Sequence, residues 1–369
     1  MTPSSHEEFL ARRSFGSLDG IRCLSIVAVV WHHTVIGVDW LPATERGFLG
    51  VDMFFVLSGF LIVTLLLRER DRTGAISLRK FYARRSLRIF PAYYGVLIAM
   101  AIALKLLRRG ALAGPFFDEL PYLATYTSNW VPINTLLALS WSLAAEQQFY
   151  LLWPPIEKLA GKLVLPILFL VIGANQLLNF RLVDAETLAR VAVHLDLPMW
   201  QATFTPICLG VLVAHLLHSR RGFDAMSRAL SSRIASPLAL ALVVALSALP
   251  AADISGWHRL LIQSAIAALL CTCVVRKDHG LRRLLEFPPI ARVGVISYGV
   301  YLYHPFARHA AVLLLDAISV RVPLALFATC LALTIAMSEV SYRYYETPFL
   351  RMKDWFQSRV DPARRGARA

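Results

Sequence analysis

Ten stretches of about 20 mostly apolar residues, parted by short polar segments, limit what this 369-residue chain can fold into more than any other feature. In lipid every backbone polar group has to be satisfied within its own segment, so each stretch reads as a helix. They run approximately over 18–38, 48–67, 91–107, 140–159, 163–180, 201–218, 235–252, 258–275, 290–315 and 322–345, the fourth interrupted by Glu146, Gln147 and Gln148. Hydrophobic residues make up 57% of the chain and charged residues 17%, against roughly 45–50% and 25% in soluble proteins. That balance excludes a mainly soluble enzyme and a disordered chain. The predicted fold class is all-α, a polytopic integral membrane protein of about ten transmembrane helices.

The net charge of +14 would suggest nucleic acid in a soluble protein; here topology explains it and no nucleic-acid partner is expected. With both termini cytoplasmic, 28 of the 38 basic residues fall in inner segments, as the positive-inside rule requires. Residues 1–350 read as the membrane domain and 351–369 as a basic cytoplasmic tail, with a short interfacial helix over 349–360 and a disordered end. No soluble domain and no cleaved signal peptide are expected. Trp40, Trp200 and Trp257 fall at outer helix ends, where an aromatic belt meets the lipid headgroups. The five cysteines show neither a pairing framework nor zinc spacing and read as packing residues; no metal is expected.

Titratable groups inside a span are costly and are functional candidates by default. In the first span, Asp19 reads as a helix cap, leaving Arg22, His32 and His33. Arg22 and His33 are eleven residues apart; at about 100° per residue they return to one face, whereas His32 is turned about 80° from Arg22. The rise separates them by about 16 Å, Arg22 toward the cytosol and His33 toward the outside. A lone histidine there would read equally well as an interfacial or core side chain, but the aligned pair is harder to dismiss. A ligand touching both must be long, anionic at its inner end and reactive at its outer end. Acetyl-CoA, or another acyl-CoA, has that shape, and a neutral imidazole near its tip could take a proton from an acceptor hydroxyl.

Asp52 enters the second span at about the depth of His33, and Glu146 lies in the outer half of the fourth with Ser142 one turn away. Either carboxylate could orient the His33 ring, and both remain open at this point. Ser58 and Gly59 read as a small-residue helix contact. Arg85 and Arg88, at i and i+3 in Phe81-Tyr-Ala-Arg-Arg-Ser-Leu-Arg-Ile-Phe-Pro91, share a helix face and suit phosphate oxygens, although inner loops also collect arginine for topology alone. His304, in the ninth span with Tyr301 one turn before it, reads as part of an acceptor path or as a satisfied core histidine. Ser142 and Tyr301 are candidate donors to an oxyanion.

Together these segments resemble the acyltransferase type 3 family, integral membrane proteins that O-acylate surface carbohydrates and related acceptors. The likeness is carried in order by Leu18-Asp-Gly-Ile-Arg22 with His33, Gly50-Val-Asp52-Met-Phe-Phe-Val-Leu-Ser-Gly-Phe60, Arg85-Ser-Leu-Arg88-Ile-Phe-Pro91, Trp141-Ser-Leu-Ala-Ala-Glu146, Ser297-Tyr-Gly-Val-Tyr-Leu-Tyr-His304-Pro305 and Tyr345-Glu346-Thr-Pro348. The resemblance implies that His33 is essential, that Arg22 is required beside it, that Arg85 and Arg88 engage acyl-CoA, and that Glu346 has a role. Some members carry a C-terminal extracytoplasmic esterase-like domain, and this chain is expected to act without one, alone or with a separate protein. The expected activity is transfer of an acyl group from cytosolic acyl-CoA across a bacterial inner membrane to a carbohydrate or glycolipid hydroxyl, with membrane lipids as surroundings. The rival is a secondary transporter or lipid-linked sugar flippase, in which the same charges would line a substrate or proton path; the matched broken halves common in such folds are not visible.

Overall fold

The protein is described by a computed structural model over residues 5–12, 14–35, 45–106, 110–183, 197–250 and 254–352. Trp40 and the tail beyond residue 352 lie outside the described residues. Among the described residues there is no strand. The helices are α1 (His6–Ala11), α2 (Ser17–Thr34), α3 (Leu49–Thr73), α4 (Leu78–Leu106), α5 (Gly110–Ala124), α6 (Ser140–Leu159), α7 (Val164–Asn179), α8 (Leu197–His218), α9 (Arg220–Leu230), α10 (Ala235–Ala248), α11 (Gly256–Val275), α12 (Arg282–Leu285), α13 (Pro288–Val295), α14 (Ser297–Ala317) and α15 (Pro323–Val340). A π-helical turn, Ser341–Glu346, carries α15 onward.

Among the described residues five helices are long and apolar enough to cross a membrane, or six if α9 and α10, bent by 79°, are taken as one broken span. Of the helices that fall short, α2, α6 and α14 are interrupted by polar groups: Asp19, Arg22 and two histidines in α2, Glu146 and Glu157 in α6, His304 and Arg308 in α14. Sequence and structure differ at three boundaries. The stretch 290–315 is broken at Ile296 into α13 and α14. The third span begins at Leu78, so α4 takes in Arg79, Arg84, Arg85 and Arg88, while Arg68, Arg70 and Arg72 extend α3. The segment after it is not a plain outer loop, because α5 folds back along α4: the hydroxyls of Tyr93 and Tyr94 donate to the carbonyls of Leu123 and Ala124 at 2.9 and 2.8 Å.

Helix α3 is the core of the molecule, with Val56, Phe60, Ile62, Val63, Leu66 and Leu67 fully buried. It meets α8 at Gly59 and Gly210, where a Cβ would stand 2.0 Å from the Ile207 carbonyl oxygen and 2.1 Å from that of Val56. Without a hydrophobic drive between helices in lipid, such backbone contact is what holds a pair together. The expected role of Gly59 therefore holds, whereas Ser58 turns the other way. All five cysteines are free and buried. Asp19 does not cap α2: Gly16 occupies that position, and the Asp19 carboxylate pairs with Arg22 one turn on.

Candidate active site

Helices α2, α3, α4, α6 and α14 enclose a cavity of about 340 Å³. Its lining follows α3 from Val51 to Leu65, about 21 Å at the rise of a helix, so the cavity is a slot along that helix. Phe54, Phe55, Leu61, Ile62 and Leu65 give it an apolar wall, and Arg22, Arg84, Arg85 and Arg88 supply four guanidinium groups. Arg84 pairs with Glu69 at 3.5 Å, and Arg85 stacks over the Tyr150 ring, 4.3 Å from its centroid. Arg88 makes no hydrogen bond or ion pair among the described residues, and Arg22 and Arg85 stand close enough to repel it. The one carboxylate lining the slot is Glu146. Guanidinium forks match phosphate oxygens, so the arrangement has the chemistry to take an anion.

Glu146 accepts hydrogen bonds from the hydroxyls of Ser58 and Tyr150 on the same carboxylate oxygen. Asp52 lies elsewhere: it is 2% exposed, bonded by Arg259 at 2.9 Å and by Gln263 at 3.2 Å, both from α11. Neither carboxylate touches His33, so the expectation that one of them orients its ring is corrected. Lipid-buried arginine attracts the nearest carboxylate, and Arg259 is buried inside α11 and claims Asp52 first.

What meets His33 is another histidine. Its Nδ1 lies 3.1 Å from Nε2 of His304, whose own Nδ1 lies 2.7 Å from the Tyr301 carbonyl oxygen. His32 turns away to the Glu45 carbonyl at 2.8 Å, as the helix phase anticipated. His33 is exposed at the end of α2 and does not line the slot; His304, 1% exposed, and Tyr301 link it to the wall. Ser142 and Tyr301 meet at 2.6 Å, and the Tyr301 hydroxyl donates to the Leu139 carbonyl at 2.9 Å, so the two expected oxyanion donors are already committed to each other and to the backbone. Glu346 is buried, accepts from Ser341 at 2.9 Å, and stands behind the slot within electrostatic reach of Arg88.

Sequence reasoning missed Arg84, Ser58, Tyr150 and Tyr298, all in the slot lining. Tyr150 carried a usable signal, one helical turn after Glu146. Ser58 and Tyr298 carried none, since nothing local tells a lining hydroxyl from one packed between helices. Among the described residues no group of three or more His, Cys, Asp or Glu side chains is placed to hold a metal ion.

The structure thus sets an elongated slot, lined by guanidinium groups and apolar side chains, within an all-helical scaffold. The chain belongs to the acyltransferase type 3 family, whose model, described as an acyltransferase domain, matches residues 15–338. It is 27% identical to the peptidoglycan O-acetyltransferase OatA of Listeria monocytogenes over 92% of this chain and 56% of that protein. It is 26% identical to the O-acetyltransferase OatA of Staphylococcus aureus over 98% of this chain and 61% of that one. The chain thus spans somewhat more than half the length of these curated relatives. No solved structure matches it.

Proposed function

We propose that this chain is a ten-span O-acetyltransferase of a bacterial inner membrane, both ends cytoplasmic, which passes an acetyl group from cytosolic acetyl-CoA to a hydroxyl of a carbohydrate or glycolipid on the outer side. A cell-wall glycan such as peptidoglycan is the acceptor class that the names of its relatives favour. The observation that carries the reading is the slot, with guanidinium groups from α2 and α4 facing it and a run of apolar side chains along α3. Bound acetyl-CoA would supply a thioester carbonyl open to attack by the acceptor hydroxyl. Arg22, Arg85 and Arg88 hold its phosphates. Phe54, Phe55, Ile62 and Leu65 keep water from the arm between phosphates and thioester. Glu146 braces the slot at mid-length through Ser58 and Tyr150, and His33 takes the proton of the acceptor hydroxyl.

Purified protein in liposomes with radiolabelled acetyl-CoA tests this. His33→Ala should lower acetyl transfer by about 100-fold or more, the usual worth of a general base, and leave acetyl-CoA binding intact. Arg85→Ala/Arg88→Ala should raise the KM for acetyl-CoA roughly 10- to 100-fold, as loss of charge-assisted hydrogen bonds does. Wild-type transfer rates in His33→Ala would sink the mechanism, and acceptor flux with no dependence on acyl-CoA would put a transporter in its place.

A further inference from the structure

The histidine pair decides which nitrogen of His33 can act as a base. Helix α14 contains Pro305, which has no N–H, so the carbonyl four residues earlier, that of Tyr301, loses its helical donor. Nδ1 of His304 takes the vacancy at 2.7 Å. A carbonyl oxygen can only accept, so this Nδ1 carries hydrogen and, in the neutral ring, Nε2 is left with its lone pair. That lone pair faces Nδ1 of His33 at 3.1 Å, which must therefore be the N–H of its ring. The remaining nitrogen of His33, Nε2, is then unprotonated and belongs to a side chain exposed at the helix end.

We infer that His304 is a positioning residue that fixes His33 in its Nδ1–H tautomer, doing with a neutral ring what a carboxylate does in a serine–histidine–aspartate triad. The inference rests on the proposed role of His33 as base. When His33 Nε2 takes the acceptor's proton, the O–H bond breaks, the oxygen keeps its electron pair for the thioester carbonyl, and the Nδ1 hydrogen stays on its bond to His304. The proton leaves on the coenzyme's thiol sulfur.

The other polar groups around the pair agree with a neutral device. The His32 ring centroid is 5.3 Å from that of His33, and Arg308 Nε donates to the His33 carbonyl at 2.7 Å. From α15, Cys330 reaches the His304 carbonyl at 3.7 Å. No carboxylate bonds either ring among the described residues. A carboxylate at position 304 would favour the protonated His33 ring, whereas a neutral acceptor leaves it free to accept.

Steady-state kinetics on the full chain in liposomes test the inference, with thermal unfolding of each variant as control. His304→Ala should lower kcat about 100-fold with the KM for acetyl-CoA unchanged. His304→Gln, whose amide can donate to the Tyr301 carbonyl and accept from His33, should recover to within about tenfold of wild type. His304→Glu should move the acid limb of the pH–rate profile to higher pH. Pro305→Ala returns a competing N–H to the Tyr301 carbonyl and should lower kcat in a chain that is no less stable. The inference is overturned if His304→Ala turns over normally while His33→Ala is inactive, or if Ala and Gln at 304 are equally impaired. Activity surviving in His33→Ala would instead remove the underlying reading.

Discussion

Asp52 and Glu146 are the two carboxylates that the sequence placed near His33, and they ended in opposite circumstances. Asp52 is sealed between α3 and α11, matched by one guanidinium and one amide. Glu146 faces the slot, held only by hydroxyls, with Arg85 stacked on the ring of one of them. A buried ion pair that is closed on itself fixes how two helices dock and has nothing left to offer a ligand. A carboxylate bonded by hydroxyls at the wall of a slot stays within reach of whatever enters it. Depth in the membrane does not distinguish the two; what the neighbouring helix brings to each one does.

The largest effect expected from that difference concerns Asp52. Asp52→Ala strands the Arg259 guanidinium in a buried site, at a cost of about 3–5 kcal/mol, seen as a lower unfolding temperature in detergent. Adding Arg259→Met should recover most of it, since a buried pair replaced by apolar groups of similar volume is often neutral. A double variant as unstable as the single one would break the contrast. Glu146→Gln should do the reverse, keeping the fold while lowering acetyl transfer roughly tenfold, as weakening of charge-assisted hydrogen bonds does; a folded and fully active Glu146→Gln would mean that the brace is not needed.

The smallest effect is expected at Asp278, which is also bonded by arginines, Arg276 at 2.7 Å and Arg233 at 2.7 Å, but in the loop outside the membrane spans. Those bonds, Arg276 first, hold its carboxyl well below the usual carboxylate range. A depressed carboxylate adds stability above its unfolded pKa and loses it as pH falls. The difference between wild type and Asp278→Asn should accordingly be small at pH 7, begin to shrink only below about pH 4, and go on shrinking as the pH falls toward the depressed folded value. A loss at neutral pH as large as that of Asp52→Ala would mean that arginine pairing, rather than burial, sets the cost.

The helical membrane scaffold was legible because lipid imposes one rule on every segment, and a run of apolar residues states it without reference to the rest of the chain. That His32 and His33 leave α2 toward different partners was legible too, because helix phase is a local property and α2 is one unbroken helix. The carboxylate partner was not, since it depended on Arg259, which lies more than two hundred residues from Asp52. His304 was visible only as an ambiguous core histidine; its meaning came from the freed Tyr301 carbonyl and from the 3.1 Å approach of its Nε2 to Nδ1 of His33.

By itself, the sequence determined that this chain forms membrane helices, carries an aligned Arg22 and His33, and shares the ordered motifs of the acyltransferase type 3 family. Periodicity, hydropathy and motif order are all properties of neighbouring residues. Only the tertiary structure decided that Arg22, Arg84, Arg85 and Arg88 face one slot, that Asp52 is spent on Arg259, and that His33 meets a neutral ring instead of a carboxylate. Hydrogen bonds and ion pairs between helices act over a few ångströms, and which groups come that close is set by how the helices pack.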